Sequence, residues 1–598
     1  MLNWWQQITD KMKSPQGRVS VVAMGGVLFL AGCVQGEEVI KASNLPDRNV
    51  HSEIVTDKVL SNKPDVFTQL EAADMYQFMV AEMMVQKGFE AQAFEIVFKL
   101  ANKLRHAELA ERAFQLSMKT YNAQKIEDAT FLWREIAPQE VLPWRASFLI
   151  ALRHDDVELA LKNWQHYRGL SKESLERDLL LAAKKISVSS PPESGVVFLQ
   201  ALTDLYPDTW ASFFALGLVA DAFNRYDVAL VALEAAKKVQ VENSEQQINQ
   251  FLAKLYLQTK PAERGILALT PYLEKYPQDW LVQERMARLE VQAGLYDEAV
   301  KRYTHILTVV PDAHTSRLSL ALLEIEQKNY KKAEGHLLKV ITEKGYAEVA
   351  GYYLGLIYQE QKDDEKALAY FEQIKSKNYY IDAQLHRAEI YFSANKMKDA
   401  FDVLNKAEAT QPKDRIKLHR AKGIFYGAAN EDELAIDEFQ KVLDIDQNDV
   451  SALMNQAMLF YKLNQFNDYV DNLKRVLDQA PNEVDALNAL GYFYVDRGER
   501  LDEAEQLLMR AYHLAPNNYY VLDSVGWLYF QQKNYELARQ YLHKSLAIQI
   551  DDEVLIHLIS TYWQIGEKEK AKKIWNEHHE KFLQNNELQG LIHHLEAN

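Results

Sequence analysis

Cysteine is almost missing from this chain. Cys33 is the only one in 598 residues, so no intramolecular disulfide and no thiolate zinc cluster can form. Glycine and proline are scarce, with 22 and 15 occurrences, each about half the usual ~7% and ~5%. That scarcity argues against a turn-rich β protein and excludes a collagen-like one. Basic charge is also short: 68 Lys and Arg face 85 Asp and Glu, a formal net charge of -17. A nucleic-acid binder needs a basic footprint to neutralise phosphates, and the whole chain lacks one. After Cys33 no apolar run approaches 18 residues; the best, Trp210 to Ala220, has 11 and contains Ser212. His-Glu-x-x-His, Gly-x-Ser-x-Gly, Gly-x-Gly-x-x-Gly after a strand and a phosphate loop ending in Gly-Lys-Ser/Thr are absent. The expectation is a chain that is not an enzyme and holds no cofactor. What is abundant is core-forming material: 48% hydrophobic and 26% charged residues, which excludes wholesale disorder.

The lone cysteine sits at an informative place. Lys11, Lys13 and Arg18 precede the apolar run Val19 to Leu30, and Leu30-Ala31-Gly32-Cys33 follows. A basic region, a short apolar stretch and a small-residue cleavage site make a secretory signal peptide over 1–32. The Leu-Ala-Gly-Cys run resembles the lipobox of bacterial lipoproteins. The resemblance implies acylation of Cys33 and cleavage before it, with acyl chains holding the protein on a membrane. Val34 stands where an Asp marks inner-membrane retention in many such lipoproteins, which points to the outer membrane, facing the periplasm. Cleavage leaves a charge of -19 on the mature chain. Residues 33–64 are polar and aperiodic, and read as a lipidated cysteine and flexible tether spanning on the order of 30 Å. The alternative is a segment docked on the body.

Beyond the tether the chain repeats. Leu487-x-x-Leu490-Gly491-x-x-Tyr494, Ala504-x-x-x-Leu508 and Pro516 are followed by Leu522-x-x-Val525-Gly526-x-x-Tyr529 and Ala538-x-x-x-Leu542. These match the tetratricopeptide signature of about 34 residues. A small residue marks each second helix: Ala93, Ala129, Ala160, Gly195, Ala229, Gly265, Ala299, Ala333, Ala367, Ala400, Ala435, Ala504, Ala538 and Ala571, with Tyr469 in the remaining place. Their spacing is 31 to 36 residues. Closely crossing helices demand such small side chains, and the same need explains Gly217, Gly355, Gly423, Gly491 and Gly526 on first helices, facing the marker residue. Aromatics four places after the marker, such as Trp133, Tyr303, Phe371, Phe439 and Trp575, are expected to fill gaps between neighbouring pairs. Pro207, Pro277, Pro311, Pro412, Pro481 and Pro516 are expected to end second helices. The predicted fold is all-α, a right-handed superhelical solenoid of about fifteen helix pairs. Residues 65–209 hold divergent repeats, with a longer inter-helix turn at Ser189-Ser190-Pro191-Pro192. Residues 210–598 hold regular ones and the C-terminal capping helices.

Two metal-like clusters are weak. Asp444-x-Asp446-x-Asn448 begins like a calcium loop, but Asp449 stands where Gly is needed and Asn455 where Glu is needed. Glu577-His578-His579-Glu580 with His593 and His594 is read as a solvated terminal helix, because adjacent histidines point about 100° apart. Recognition by the inner face remains. First-helix positions 2, 5, 9 and 12, counted from Gly491 and Gly526 as position 8, hold Tyr492 and Val495, then Tyr520, Trp527 and Phe530. The preceding pair supplies Met454, Met458 and Tyr461. These eight are the candidate partner-binding residues, unless neighbouring pairs cover them. Position 9 carries no Asn in the ten units from Ser212 to Ile550, so a dicarboxylate clamp for an acidic C-terminus is not expected. Acidity favours basic or neutral partner surfaces.

Both ends of the body resemble a family of proteobacterial tetratricopeptide lipoproteins, the LbcA-like proteins, of which NlpI is a shorter functional analogue. The similarity lies in Met75-Tyr76-Gln77-Phe78-Met79-Val80-Ala81-Glu82, Ala107 to Ala113 and Trp133 to Pro138, then in Ala486 to Tyr492 and Asp523 to Trp527. It implies an adaptor that docks a periplasmic carboxyl-terminal processing protease and brings it peptidoglycan hydrolases. A second reading is a scaffold for envelope assembly or exopolysaccharide export.

Overall fold

The computed structural model describes residues 71–578. Cys33 and the segments expected to be a signal peptide and a tether lie outside the described residues, as do His579, Glu580, His593 and His594. Among the described residues there are only helices and no strand, running from Ala72–Gln86 to Lys568–His578. They form fifteen pairs, as the marker spacing requires. The chain divides into two compact units, one ending at His336 and the other beginning at Leu337. Seven complete pairs, Ala72–Gln86 through Tyr296–Val309, lie in the first unit. Seven more, Ala347–Glu360 through Lys568–His578, lie in the second. The expected all-α repeat architecture is what each unit shows.

Every marker is buried, Gly195 and Gly265 included, because each second helix presses its small residue against the first. The first-helix glycines do not face the marker's side chain, however. A Cβ added at Gly355 would lie 2.6 Å from the Phe371 ring, and one at Gly423 would lie 2.9 Å from that of Phe439. At Gly491 and Gly526 the same place is taken by Leu508 and Leu542, at 2.7 and 2.6 Å. These are the residues four after the marker. Phe371 and Phe439 therefore pack inside their own pair, where the expectation had them filling gaps between neighbouring pairs. Phe371 also reaches the next pair, stacking on His386 with centroids 5.2 Å apart. The core spans neighbouring pairs: one cluster runs from Ala435 to Leu528, across four pairs. No pair buries its apolar face alone.

The low glycine content is met by unusual turns. Most pairs turn in three residues, and the middle one is left-handed: Asn224, Asn395, Asn430 and Asn464 at φ 58 to 62°, Lys362 and Lys533 at 62°. Asparagine tolerates this region, and the turn closes with a backbone bond such as Asn534 N to Tyr529 O, 2.8 Å. Two proline readings change. Pro412 begins the helix Pro412–Ala428 at its first position rather than ending the preceding one, where its missing N–H costs nothing. The Ser189 to Pro192 turn is short, because Leu175–Ser189 and Pro192–Leu205 are separated only by Ser190 and Pro191.

Candidate functional site

A cleft in the second unit lies across the first helices of the last four pairs, Val450–Lys462, Val484–Asp496, Tyr519–Gln531 and Asp552–Ile565. It encloses about 70 Å³ and is partly open to solvent. A repeat of 34 or 35 residues keeps equivalent positions of successive first helices in register. Position 5 thus supplies Met454, Asn488 and Asp523; position 2 supplies Asp485, Tyr520 and Val554; position 9 supplies Met458 and Tyr492. Asp551 and Glu553 close the far end.

Of the eight residues singled out from sequence, the structure brings Met454, Met458, Tyr492 and Tyr520 together in this cleft. The other four stand elsewhere. Val495 is fully buried in the core and cannot touch a partner, which corrects its assignment. Tyr461 packs on Phe466, Tyr469 and Phe493. Trp527 is sandwiched, its ring 4.1 Å from His557 and 4.4 Å from Phe530. Position 12, the place of Tyr461, Val495 and Phe530, belongs to the packing between helices.

The polar lining was missed by the sequence reading, although the same count of positions reaches it. Tyr520 Oη donates to Asp485, 2.5 Å, and Tyr492 Oη to Glu553, 2.5 Å. Burial, reinforced by these carboxylates, raises both phenols. Asp523 of the lining is paired with His557, whose Nδ1 lies 2.9 Å from Asp523 Oδ1, both side chains buried. Burial raises the Asp523 carboxyl against the pull of His557. Burial is the largest single influence on His557 and would lower it, but the charge and hydrogen bond of Asp523 together with the charges of Glu553 and Asp496 leave the imidazole raised. Asp551 is pushed up to about 6 by burial and by Asp552. No lysine or arginine lines the cleft. Its one aliphatic hydroxyl, Ser524 Oγ, donates to the Tyr520 carbonyl at 2.9 Å and is thereby engaged within its own helix.

The calcium-like stretch is occupied by local bonds. Asp446 accepts from Asn448 N, and Asp449 caps the next helix through Ala452 N and pairs with Arg420. Among the described residues no group of three His, Cys, Asp or Glu is placed to hold a metal, and no helix is long and apolar enough to cross a membrane.

Comparison with known proteins agrees with the repeat. Tetratricopeptide repeat families match residues 284–348, 454–519 and 349–378. A TPR repeat-containing protein of Pseudomonas aeruginosa, PA4667, is 27% identical over 555 residues, covering 92% of each chain. Human tetratricopeptide repeat protein 13 is 28% identical over 108 residues, 18% of this chain and 12% of its own. Among solved structures, a tetratricopeptide repeat protein from Parabacteroides merdae is 17% identical, with a TM-score of 0.32, over 42% of this chain and 98% of that one.

Proposed function

We propose that this tetratricopeptide-repeat chain is a non-catalytic scaffold, held by an acylated Cys33 in the outer membrane and facing the periplasm, that docks a carboxyl-terminal processing protease and its cell-wall hydrolase substrates. Protein binding is what the repeats themselves indicate. The observation that carries the reading furthest is the cleft: a concave, partly apolar surface of aligned first helices whose polar groups point to recognition rather than to bond-breaking. The Asp523–His557 pair has no nucleophile to activate there, since Ser524 is turned back on its helix. The lipobox motif and the family resemblance support the anchor, the compartment and the protease.

The test is reconstitution. The lipid-free chain and the organism's own processing protease are mixed and sized, and hydrolysis of a peptidoglycan hydrolase is followed with and without the scaffold. A stable complex that accelerates cleavage is expected. No complex and unchanged cleavage, with in-cell crosslinking that instead captures an export porin, would overturn the proposal.

A further inference from the structure

On the face that forms the cleft, charge is handled differently along the second unit. In the helix Pro412–Ala428, position 2 is Lys417 and position 5 is Arg420. Lys417 pairs with Asp382, the position 2 residue one repeat earlier, at 2.6 Å, and Arg420 pairs with Asp449. Carboxylates here are thus answered by a cation from a neighbouring pair. Two pairs further on the pattern stops. The residue one repeat after Asp485 is Tyr520, which donates a hydrogen bond but no charge. Neither Asp485 nor Asp551 forms an ion pair among the described residues, and Asp523 has only His557. Asp551 reports the same imbalance, being pushed up to about 6 by burial and the neighbouring carboxylates.

A second observation points to a missing ligand independently of charge. Asn488, at position 5 between Met454 and Asp523, lines the cleft with its side chain more than nine-tenths buried, and its amide oxygen has no hydrogen-bond partner. A buried amide oxygen without a donor is destabilising, and a peptide N–H or an ammonium is the donor it lacks. Met454, Met458 and Tyr492 provide apolar wall on the same side. That combination suits a long side chain whose methylenes lie on apolar surface while its charged end meets carboxylates.

We infer that the cleft receives a lysine or arginine side chain presented by an extended segment of a protein partner, its cationic end between Asp485 and Asp551 and its donor on Asn488. This deepens the scaffold reading and rests on it. It also fixes the sign of the recognition, a positively charged side chain rather than an acidic chain terminus.

The test uses the full chain without its lipid and two blocked eight-residue peptides, Gly-Ala-Leu-Lys-Leu-Ala-Gly-Ala and the same sequence with acetyl-lysine. Binding is followed by isothermal titration at low salt, with the protease-docking assay run in parallel. The lysine peptide is expected to bind at least tenfold more tightly than the acetylated one. Asp485→Asn with Asp551→Asn, isosteric changes that keep the Asp551 helix cap as an Asn cap, should erase that difference while the urea midpoint shows an intact fold. Asn488→Leu should weaken both peptides. Equal binding of the two peptides, a difference that survives the double substitution, or no binding at millimolar peptide would overturn the inference. Protease docking that persists in any of those cases leaves the scaffold standing without this site; lysine-peptide binding without protease docking does the reverse.

Discussion

Substituting Gly355 by alanine tests the packing that makes the repeat. In an exposed helix interior the change is favourable by about 1 kcal/mol, since glycine loses more backbone entropy than alanine. Here the new Cβ would stand 2.6 to 2.8 Å from three atoms of the Phe371 ring. That ring is fully buried and also stacks on His386, which leaves it little room to swing aside. Overpacking of this kind costs about 1–3 kcal/mol, and separating the Phe371–His386 stack costs a further ~0.5–1.5 kcal/mol. Net of the propensity gain, Gly355→Ala should destabilise by about 1–3 kcal/mol. Gly351, one turn earlier in the same helix, meets only the end of Ile374 at 3.4 Å, so Gly351→Ala should be neutral or slightly stabilising.

The chain itself supplies the rescue. Ala457 with Leu473 and Ala388 with Leu404 stand 16 residues apart, as Gly355 and Phe371 do, and each couple shares a core cluster. Adding Phe371→Leu to Gly355→Ala reproduces that combination, so the double variant should lie nearer the wild type than the single costs predict. A coupling of at least ~1 kcal/mol is expected from the double-mutant cycle. Stacked repeats open locally, so the assay is native-state hydrogen exchange in Ala347–Glu360 and Asp364–Glu372, with the urea midpoint beside it. Gly355→Ala that protects these helices better than the wild type, or additive single and double effects, would refute the reasoning.

Three further outcomes follow from other parts of the molecule. Asp551 carries a folded-state pKa of about 6 against an ordinary 3.8, so the folded state holds its proton more tightly than the unfolded one. Its penalty is absent below about pH 4, grows as pH rises towards 6 and is complete above that. Asp551→Asn should therefore stabilise by about 1–2 kcal/mol at pH 7.5, discounted for partial exposure, and by nothing at pH 4; a gain independent of pH in urea titrations would contradict this. His557→Ala leaves the buried Asp523 carboxylate alone and should cost about 3–5 kcal/mol, part of it recovered by adding Asp523→Asn; an unchanged urea midpoint would count against the buried pair. Cys33→Ala should abolish palmitate labelling and release the protein from membranes; labelling that persists would rule out Cys33 as the anchor.

The repeat was legible because its cause is steric and local. A helix crossing tolerates only Ala or Gly, so the marker recurs in the sequence wherever the crossing recurs in space, and fourteen of fifteen places obey it. Tyr469 is the exception that packing explains: it too is fully buried, and its ring meets Phe493 of the next pair at 5.2 Å. The candidate site was legible by half. Counting positions 2, 5, 9 and 12 reaches the right helices, but aromatic and methionine anchors are only part of what lines the cleft. Asp485, Asn488, Asp523 and His557 occupy the same positions, and each alone reads as solvated helix surface. Only stacking at one-repeat intervals brings Asp523 against His557 and Tyr520 against Asp485. Position 12 failed for a different reason: at Val495 the neighbouring helices already fill the space, a fact held by tertiary packing and not by the residue's own character.

The acid surplus shows the same difference between composition and place. A net charge of -17 suggests cationic partners, yet at physiological ionic strength charges are screened beyond about 8 Å. The total therefore selects nothing at a given site. What selects is whether a carboxylate has its counter-charge nearby. Asp382, Asp432 and Asp449 have theirs, in Lys417, Lys462 and Arg420, and so present little net field. Asp485 and Asp551 have none among the described residues and lie in a recess, where the low-dielectric walls strengthen their pull on an incoming cation. The residues that decide recognition are then few, and neutralising two of them should matter more than neutralising many carboxylates on the outer helix faces.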